Sequence, residues 1–215
     1  MRENLHIVST KRRLGLAVAA VLALTACGSS SNRYLANRDE KVYLRVPSSW
    51  HNIKLSDSFT DRLTQSSSEA KVISKTVVTP QTNALEQKDL DGQSPFATMT
   101  VYQTTGQLNQ LLSASLARKV GLVAFDPALP DSANKDLAEV LAFDPKPTNA
   151  KIAGSRVVYR TRSDAKTDWQ LTVNLSTYFD PSASRLYALE LICSTTCYDK
   201  LSRQIDRIVN SWRIG

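Results

Sequence analysis

The sequence predicts an α+β domain, an antiparallel β-sheet covered by helices with a C-terminal amphipathic helix packed on the sheet. Three observations point there. After Pro147, three stretches alternate apolar and polar residues at period two and are joined by short turns, the arrangement of an antiparallel meander. Beyond them Tyr198, Leu201, Ile205, Ile208, Val209 and Trp212 recur at three- and four-residue steps and form one apolar stripe. The chain has 215 residues, which after a leader and a tether leaves a single domain of ordinary size with one core.

At the amino end Arg2, Lys11, Arg12 and Arg13 precede an apolar run of 13 residues, Leu14 to Ala26. That run is too short to cross about 30 Å of hydrocarbon as a helix and reads as an export signal. The twin arginines are not followed by the remainder of a folded-protein export signal, which favours export of the unfolded chain. Leu24-Thr25-Ala26-Cys27, followed by Gly28-Ser29-Ser30-Ser31, resembles the lipobox of bacterial lipoproteins. In that family a diacylglyceryl group is placed on the cysteine thiol and the chain is cut just before it. The resemblance implies a signal peptide over 1–26, lipidation at Cys27 and anchoring at the extracytoplasmic face of the cell membrane. Residues 28–40 are polar and are expected to form a flexible tether, with the domain over 41–215. The leader's four basic residues and Glu3 account for +3 of the formal charge of +7. The remaining +4 is no nucleic-acid signature.

Within the domain, Val42, Leu44 and Val46 alternate with Tyr43 and Arg45 as in a half-buried strand, ended by Pro47-Ser48-Ser49. Trp50 follows the turn, where a large ring closes one end of a core. Lys71 to Val78 reads as a strand between polar runs. Asp89-Leu90-Asp91-Gly92 lacks the later ligands of a calcium loop and reads as a turn. Ala97 to Gln103 is the next strand. Leu108, Leu111, Leu112 and Leu116 then mark a helix over Gln107 to Lys119, and a short helix is expected around Ser132 to Leu141. In the meander, Trp169, Leu171, Val173, Leu175 and Phe179 form a core face, and Gln170, Thr172, Asn174, Ser176 and Tyr178 a polar face. Val157, Tyr159 and Thr161 share the core side of the preceding strand, which leaves Arg156, Arg160 and Arg162 outside. On the last strand Tyr187, Leu189, Leu191 and Cys193 are assigned to the core, since the opposite register buries Glu190. Asp180-Pro181-Ser182 makes the turn between these last two strands. Thr196 to Asp199 has capping-box spacing for the final helix.

Besides Cys27 the chain has two cysteines, Cys193 and Cys197. In an oxidising compartment a bridge between them is expected, tying the last strand to the first turn of the helix. A redox pair prefers a two-residue spacer, and a metal site needs further His or Cys neighbours. Glu190-Leu191-Ile192-Cys193-Ser194 through Cys197-Tyr198, with Ile208-Val209-Asn210-Ser211-Trp212 and the early Val46-Pro47-Ser48-Ser49-Trp50, resembles actinobacterial cell-surface lipoproteins with a PsbP/Mog1-like domain. The resemblance implies a PsbP/Mog1-like sandwich, in a family used for docking to proteins or for holding lipidic or small ligands. It implies no catalytic residue.

Catalytic motifs are sparse. His51 is the sole histidine after the leader, beside Trp50, and reads as a turn residue with its ring in water. No nucleophile elbow, phosphate loop, dinucleotide glycine pattern or zinc spacing occurs, so no cofactor or metal is expected. Arg156, Arg160 and Arg162 form a candidate anion-binding face; charged residues on one side of a strand also serve simply to protect it from pairing. The expectation is a non-enzymatic, lipid-anchored binding or adaptor protein of the cell envelope, working on an envelope protein, glycan or lipid and not on nucleic acid. An envelope enzyme, hydrolase-like and using a carboxylate site, is the alternative.

Overall fold

In the computed structural model, alternation at period two becomes ten strands among the described residues, and the 3.6-residue stripe becomes the last helix. The structure describes residues 31–53, 70–80, 94–104, 138–147, 152–162, 168, 170–180, 182 and 184–215. The strands are β1 (Asn32–Asn37), β2 (Val42–Pro47), β3 (His51–Ile53), β4 (Ala70–Thr79), β5 (Phe96–Thr104), β6 (Ala138–Asp144), β7 (Ala153–Thr161), β8 (Leu171–Asp180) and β9 (Arg185–Ser194). Helix α1 (Thr195–Asn210) and β10 (Arg213–Ile214) complete the chain. All pairings are antiparallel. Seven strands form a large sheet in the order β3-β4-β5-β9-β8-β7-β6, and β1-β2-β10 form a small one. Cys27, the signal segment, the helix expected over Gln107 to Lys119, the Asp89 turn, Trp169 and Pro181 lie outside the described residues.

The strands expected at 42–46, 71–78 and 97–103 are β2, β4 and β5. In β2, Val42, Leu44 and Val46 are buried while Tyr43 and Arg45 point outward, as the alternation requires. Trp50 is buried at 3 % exposure and packs in the core. Its carbonyl accepts from Arg33 Nε at 2.9 Å and Nη2 at 2.7 Å, which fixes the turn after β2.

Four local expectations are corrected. Asn32–Asn37, expected in the tether, is a strand: Leu35 pairs with Leu44 and is buried, so one apolar residue and a hydrogen-bond ladder suffice to order a polar stretch. The short helix expected to reach Leu141 is a strand from Ala138 onward, paired with β7; the ladder overrides a weak helical pattern. The helix is capped by Ser194 and not Thr196: Ser194 Oγ accepts from the Cys197 N–H at 3.2 Å. The last correction is the register of β9, which sets Leu191 opposite Asn174 and Leu189 opposite Ser176, with Glu190 opposite Leu175.

That register gives the large sheet two buried faces. On the helix face, Tyr187, Leu189, Leu191 and Cys193 of β9 lie beside Asn174, Ser176 and Tyr178 of β8, so the expected polar face of β8 is interior. Leu35, Val42, Leu44 and Val46 of the small sheet and Ile205, Ile208 and Val209 of α1 close over this face. Each of those buried aliphatic side chains contributes about 1.5–3 kcal/mol. On the far face Val157, Tyr159, Val173, Leu175, Ala188 and Ile192 make a second cluster. Trp212 follows the helix and meets Tyr178 edge to face at 5.1 Å between ring centroids.

Gly154 of β7 pairs with Tyr178, and a Cβ there would run into the Tyr178 ring and the Thr177 carbonyl. Gly154→Ala therefore has to displace Tyr178 from Trp212. The expected loss is about 1–3 kcal/mol of stability, read from chemical denaturation; a variant as stable as the parent would show that Tyr178 has room to move.

Candidate functional site

Helix α1 packs on β8, β9 and β2, and the small sheet shares a core with β4 and β5. Among the described residues, β7 and β6 therefore extend beyond the covering layer on the helix face. The uncovered step is a groove of about 530 Å³. Its outer lip comes from β6, with Leu141, Phe143 and Asp144; β7 supplies Arg156 and Val158; the inner wall is α1, with Tyr198, Asp199, Ser202 and Asp206. Leu141 is 47 % exposed and Phe143 36 %. The register of β6 slips between Val140 and Ala142, so Leu141 is an extra residue in a bulge and stands out of the ladder.

The polar side chains of the inner wall hold one another. Arg156 Nη2 donates to Asp206 Oδ1 at 2.5 Å and Arg156 Nε to Asn174 Oδ1 at 3.0 Å, while Asn174 Nδ2 donates to the Tyr198 hydroxyl at 2.9 Å. Burial raises the pKa of Tyr198, with the Asn174 hydrogen bond acting in the opposite direction. The phenol is thus neutral, accepts one bond and retains an O–H to donate. Apolar surface from Leu141, Phe143 and Val158 beside a prearranged phenol, guanidinium and carboxylates suits recognition of a group with both an apolar and a polar part.

The far face of the large sheet carries a buried charge. Glu190 is 6 % exposed, and its carboxylate accepts from Thr98 Oγ1 at 3.1 Å. Half-buried Lys75 has its pKa lowered by desolvation, an effect opposed by the charge of Glu190. Tyr102 and Tyr159 are pushed well above the usual phenol range, by burial first and by Glu190 second. A hydrogen-bonding hydroxyl and a nearby ammonium meet the cost of burying the carboxylate.

Arg156, Arg160 and Arg162 have different surroundings. Arg156 is the groove residue just described, and Arg160 donates to Glu139 Oε2 at 2.9 and 2.7 Å. Arg162 follows the end of β7 and is half-buried. His51 lies in the short edge strand β3, paired with Thr79, and is exposed. Cys193 and Cys197 are both buried and lie close to one another, without a bridge between them in the structure. Burial raises the pKa of both thiols. Among the described residues no cluster of three His, Cys, Asp or Glu side chains could hold a metal, and no helix is long and apolar enough to cross a membrane. Sequence reasoning flagged Arg156 as a site residue and placed Tyr198 in the apolar stripe of the helix, but missed Asp199, Asp206, Leu141 and Phe143. The available signal was Leu141-Ala142-Phe143-Asp144 ahead of Pro145, where two large apolar residues adjoin a turn.

These features define a class, an antiparallel sheet closed on one face by a C-terminal helix and a small sheet. The fold is that of the PsbP/Mog1-like domains. The solution structure of cyanobacterial PsbP from Synechocystis sp. PCC 6803 matches with a TM-score of 0.52 and 13% identity, over 88% of this chain and 96% of that one. The chain is also similar to the Ran-binding protein Mog1p of Saccharomyces cerevisiae, with a TM-score of 0.47 and 8% identity over 86% of this chain and 96% of that one. A third likeness is LpqN of Mycobacterium tuberculosis, involved in cell envelope biogenesis, with a TM-score of 0.47 and 14% identity over 85% and 90% of the two chains. No family profile matches the chain, and no curated protein matches it.

The far face predicts an alkaline transition. Tyr102 and Tyr159 have folded pKa values raised above the ordinary 10.0; the stability they contribute is complete below that value and is lost as pH rises beyond it. Lys75, with a lowered pKa, acts in the opposite sense, its contribution being present above 10.5. Two phenols outweigh one amine, so the thermal midpoint should fall above about pH 10. Tyr159→Phe should make the fall shallower; an unchanged slope in thermal melts across this range would remove Tyr159 from the explanation.

Proposed function

We propose that this chain is an exported lipoprotein, held by Cys27 at the extracytoplasmic face of the cell membrane, that works as a non-enzymatic binding or adaptor module. Its ligand, an envelope protein, glycan or lipid, enters the groove between β6, β7 and α1. The observation that carries the reading is the groove's construction, in which exposed Leu141 and Phe143 face a wall whose Asp206, Arg156, Asn174 and Tyr198 side chains are already hydrogen-bonded in series. A wall ordered before the ligand arrives lowers the entropy cost of binding. The lipobox resemblance at Leu24 to Cys27 supports the anchor. Asp144, Asp199 and Asp206 in the same groove favour a second reading, an envelope enzyme of hydrolase-like chemistry that uses carboxylates.

Cys27→Ser should move the protein out of the membrane fraction, since stable attachment needs two acyl chains or one chain with added charge. Retention of the variant through a high-salt wash would defeat the lipoprotein reading. In cells, Phe143→Asp should abolish the biological activity with export unchanged, while His51→Ala leaves it nearly intact. If Asp199→Asn or Asp144→Asn removes activity but not ligand capture, the enzyme reading replaces the binding one.

Cys193 and Cys197, already adjacent, are proposed to be joined in the exported protein. The loop they close is tiny, so the stabilisation should stay under about 3 kcal/mol and act on the corner between β9 and α1. Two free thiols by mass spectrometry of the exported protein would refute the bridge.

A further inference from the structure

The outward face of the small sheet is a second surface of unusual composition. Pairing sets Tyr34 opposite Arg45, Ala36 opposite Tyr43 and Arg213 opposite Tyr43, so these five residues share one side of the sheet while Leu35, Leu44 and Val42 turn to the core. Tyr34 is 71 % exposed and Tyr43 39 %, the exposed aromatic rings of a sheet whose other face is buried. Arg45, Arg213 and Ala36 are exposed as well. The Arg213 guanidinium hydrogen-bonds only uncharged carbonyls, those of Asn210 and Trp212, among the contacts described for it. The strands carry no Asp or Glu. The carboxylates closest in sequence, Asp39 and Glu40, sit in the turn at one end, and Glu40 is engaged by Arg185 at 3.1 Å.

We propose that this face rests on an anionic lipid surface. Tyrosine is a residue of the membrane interface, where its ring meets the headgroup region and its hydroxyl meets water. Arginine on the same face meets lipid phosphate, and strands without Asp or Glu add no repulsion of their own. Chain length adds an independent argument, resting on the lipoprotein reading. Four residues, Gly28 to Ser31, separate Cys27 from β1. From Cys27 to Asn32 they reach at most about 18 Å, less than the roughly 20 Å that the six residue steps from Asn32 to the far turn at Arg38 span along β1. A lipid on Cys27 thus keeps the strand that bears Tyr34 next to the bilayer, and the far turn at Arg38 to Lys41 cannot replace it as the sole point of contact.

The test separates the face from the anchor by leaving the lipid out. The chain from residue 27 with Cys27→Ser contains the whole compact unit Asn32–Gly215 and is floated with vesicles of phosphatidylcholine alone or with about 30 % phosphatidylglycerol at low ionic strength. Association with the anionic vesicles is expected, weakened by salt, absent on the neutral ones, and reduced at least about tenfold by Arg45→Glu with Arg213→Glu. Tyr34→Ser should weaken it further. All three positions are exposed, so an unchanged melting temperature certifies folding. The proposal is overturned if the parent floats no better than the double arginine variant, or equally on both vesicles, whatever Cys27→Ser does to membrane attachment in cells; a face that then captures a protein instead of lipid would be an adaptor surface.

Discussion

Leu175 lies opposite Glu190, and that one register between β8 and β9 decides which face every neighbouring side chain meets. It turns Leu189, Leu191 and Cys193 toward α1, places Asn174 beside Arg156 and within reach of Tyr198, and sends Glu190 to the far face with Thr98. A slip by one residue would bring Glu190 beneath the helix and empty the far core of Ile192 and Ala188. The groove, the thiol pair and the buried carboxylate therefore share a common origin in this ladder. Its central position in the large sheet, with β5 and β7 on either side, makes it difficult to alter without rebuilding both cores.

Most of the architecture was legible because period two and period 3.6 are direct consequences of which side of a backbone is buried. β2, β4, β5 and the stripe of α1 follow from the placement of apolar side chains along the sequence. The register of β9 was not legible for a physical reason. Avoiding a buried Glu190 is sound when the carboxylate has no partner, but Thr98 lies on a strand 92 residues away in sequence, and no local pattern announces it. The polar side of β8 misled in the same way: Asn174 and Ser176 look solvent-facing until a helix is packed over them. β6 was hidden by its bulge, which breaks the alternation at Leu141. The groove lip vanished with it.

The two sides of the domain use polar groups differently. On the helix face Arg156, Asp206, Asn174 and Tyr198 form a chain that ends at an open groove, where its half-exposed ion pair adds little stability and mainly positions side chains. On the far face Glu190 and Thr98 are enclosed beside half-buried Lys75, whose attraction to Glu190 opposes its desolvation without outweighing it. Meanwhile Glu139 and Arg160 pair across β6 and β7 near the exposed edge. Charge at that edge, together with the bulge, discourages a second chain from extending the sheet.

The first and last strands of the domain flank the same partner, with β1 and β10 on opposite sides of β2 and Gly215 N–H bonded to the Lys41 carbonyl at 3.0 Å. Ladder bonds run perpendicular to the strands. A pull on the amino end along the axis of β1 therefore strains all six residue pairs from Asn32 to Asn37 together, in shear, instead of peeling them one after another. The sheet that joins the domain to whatever holds its amino end is built as a mechanical clamp.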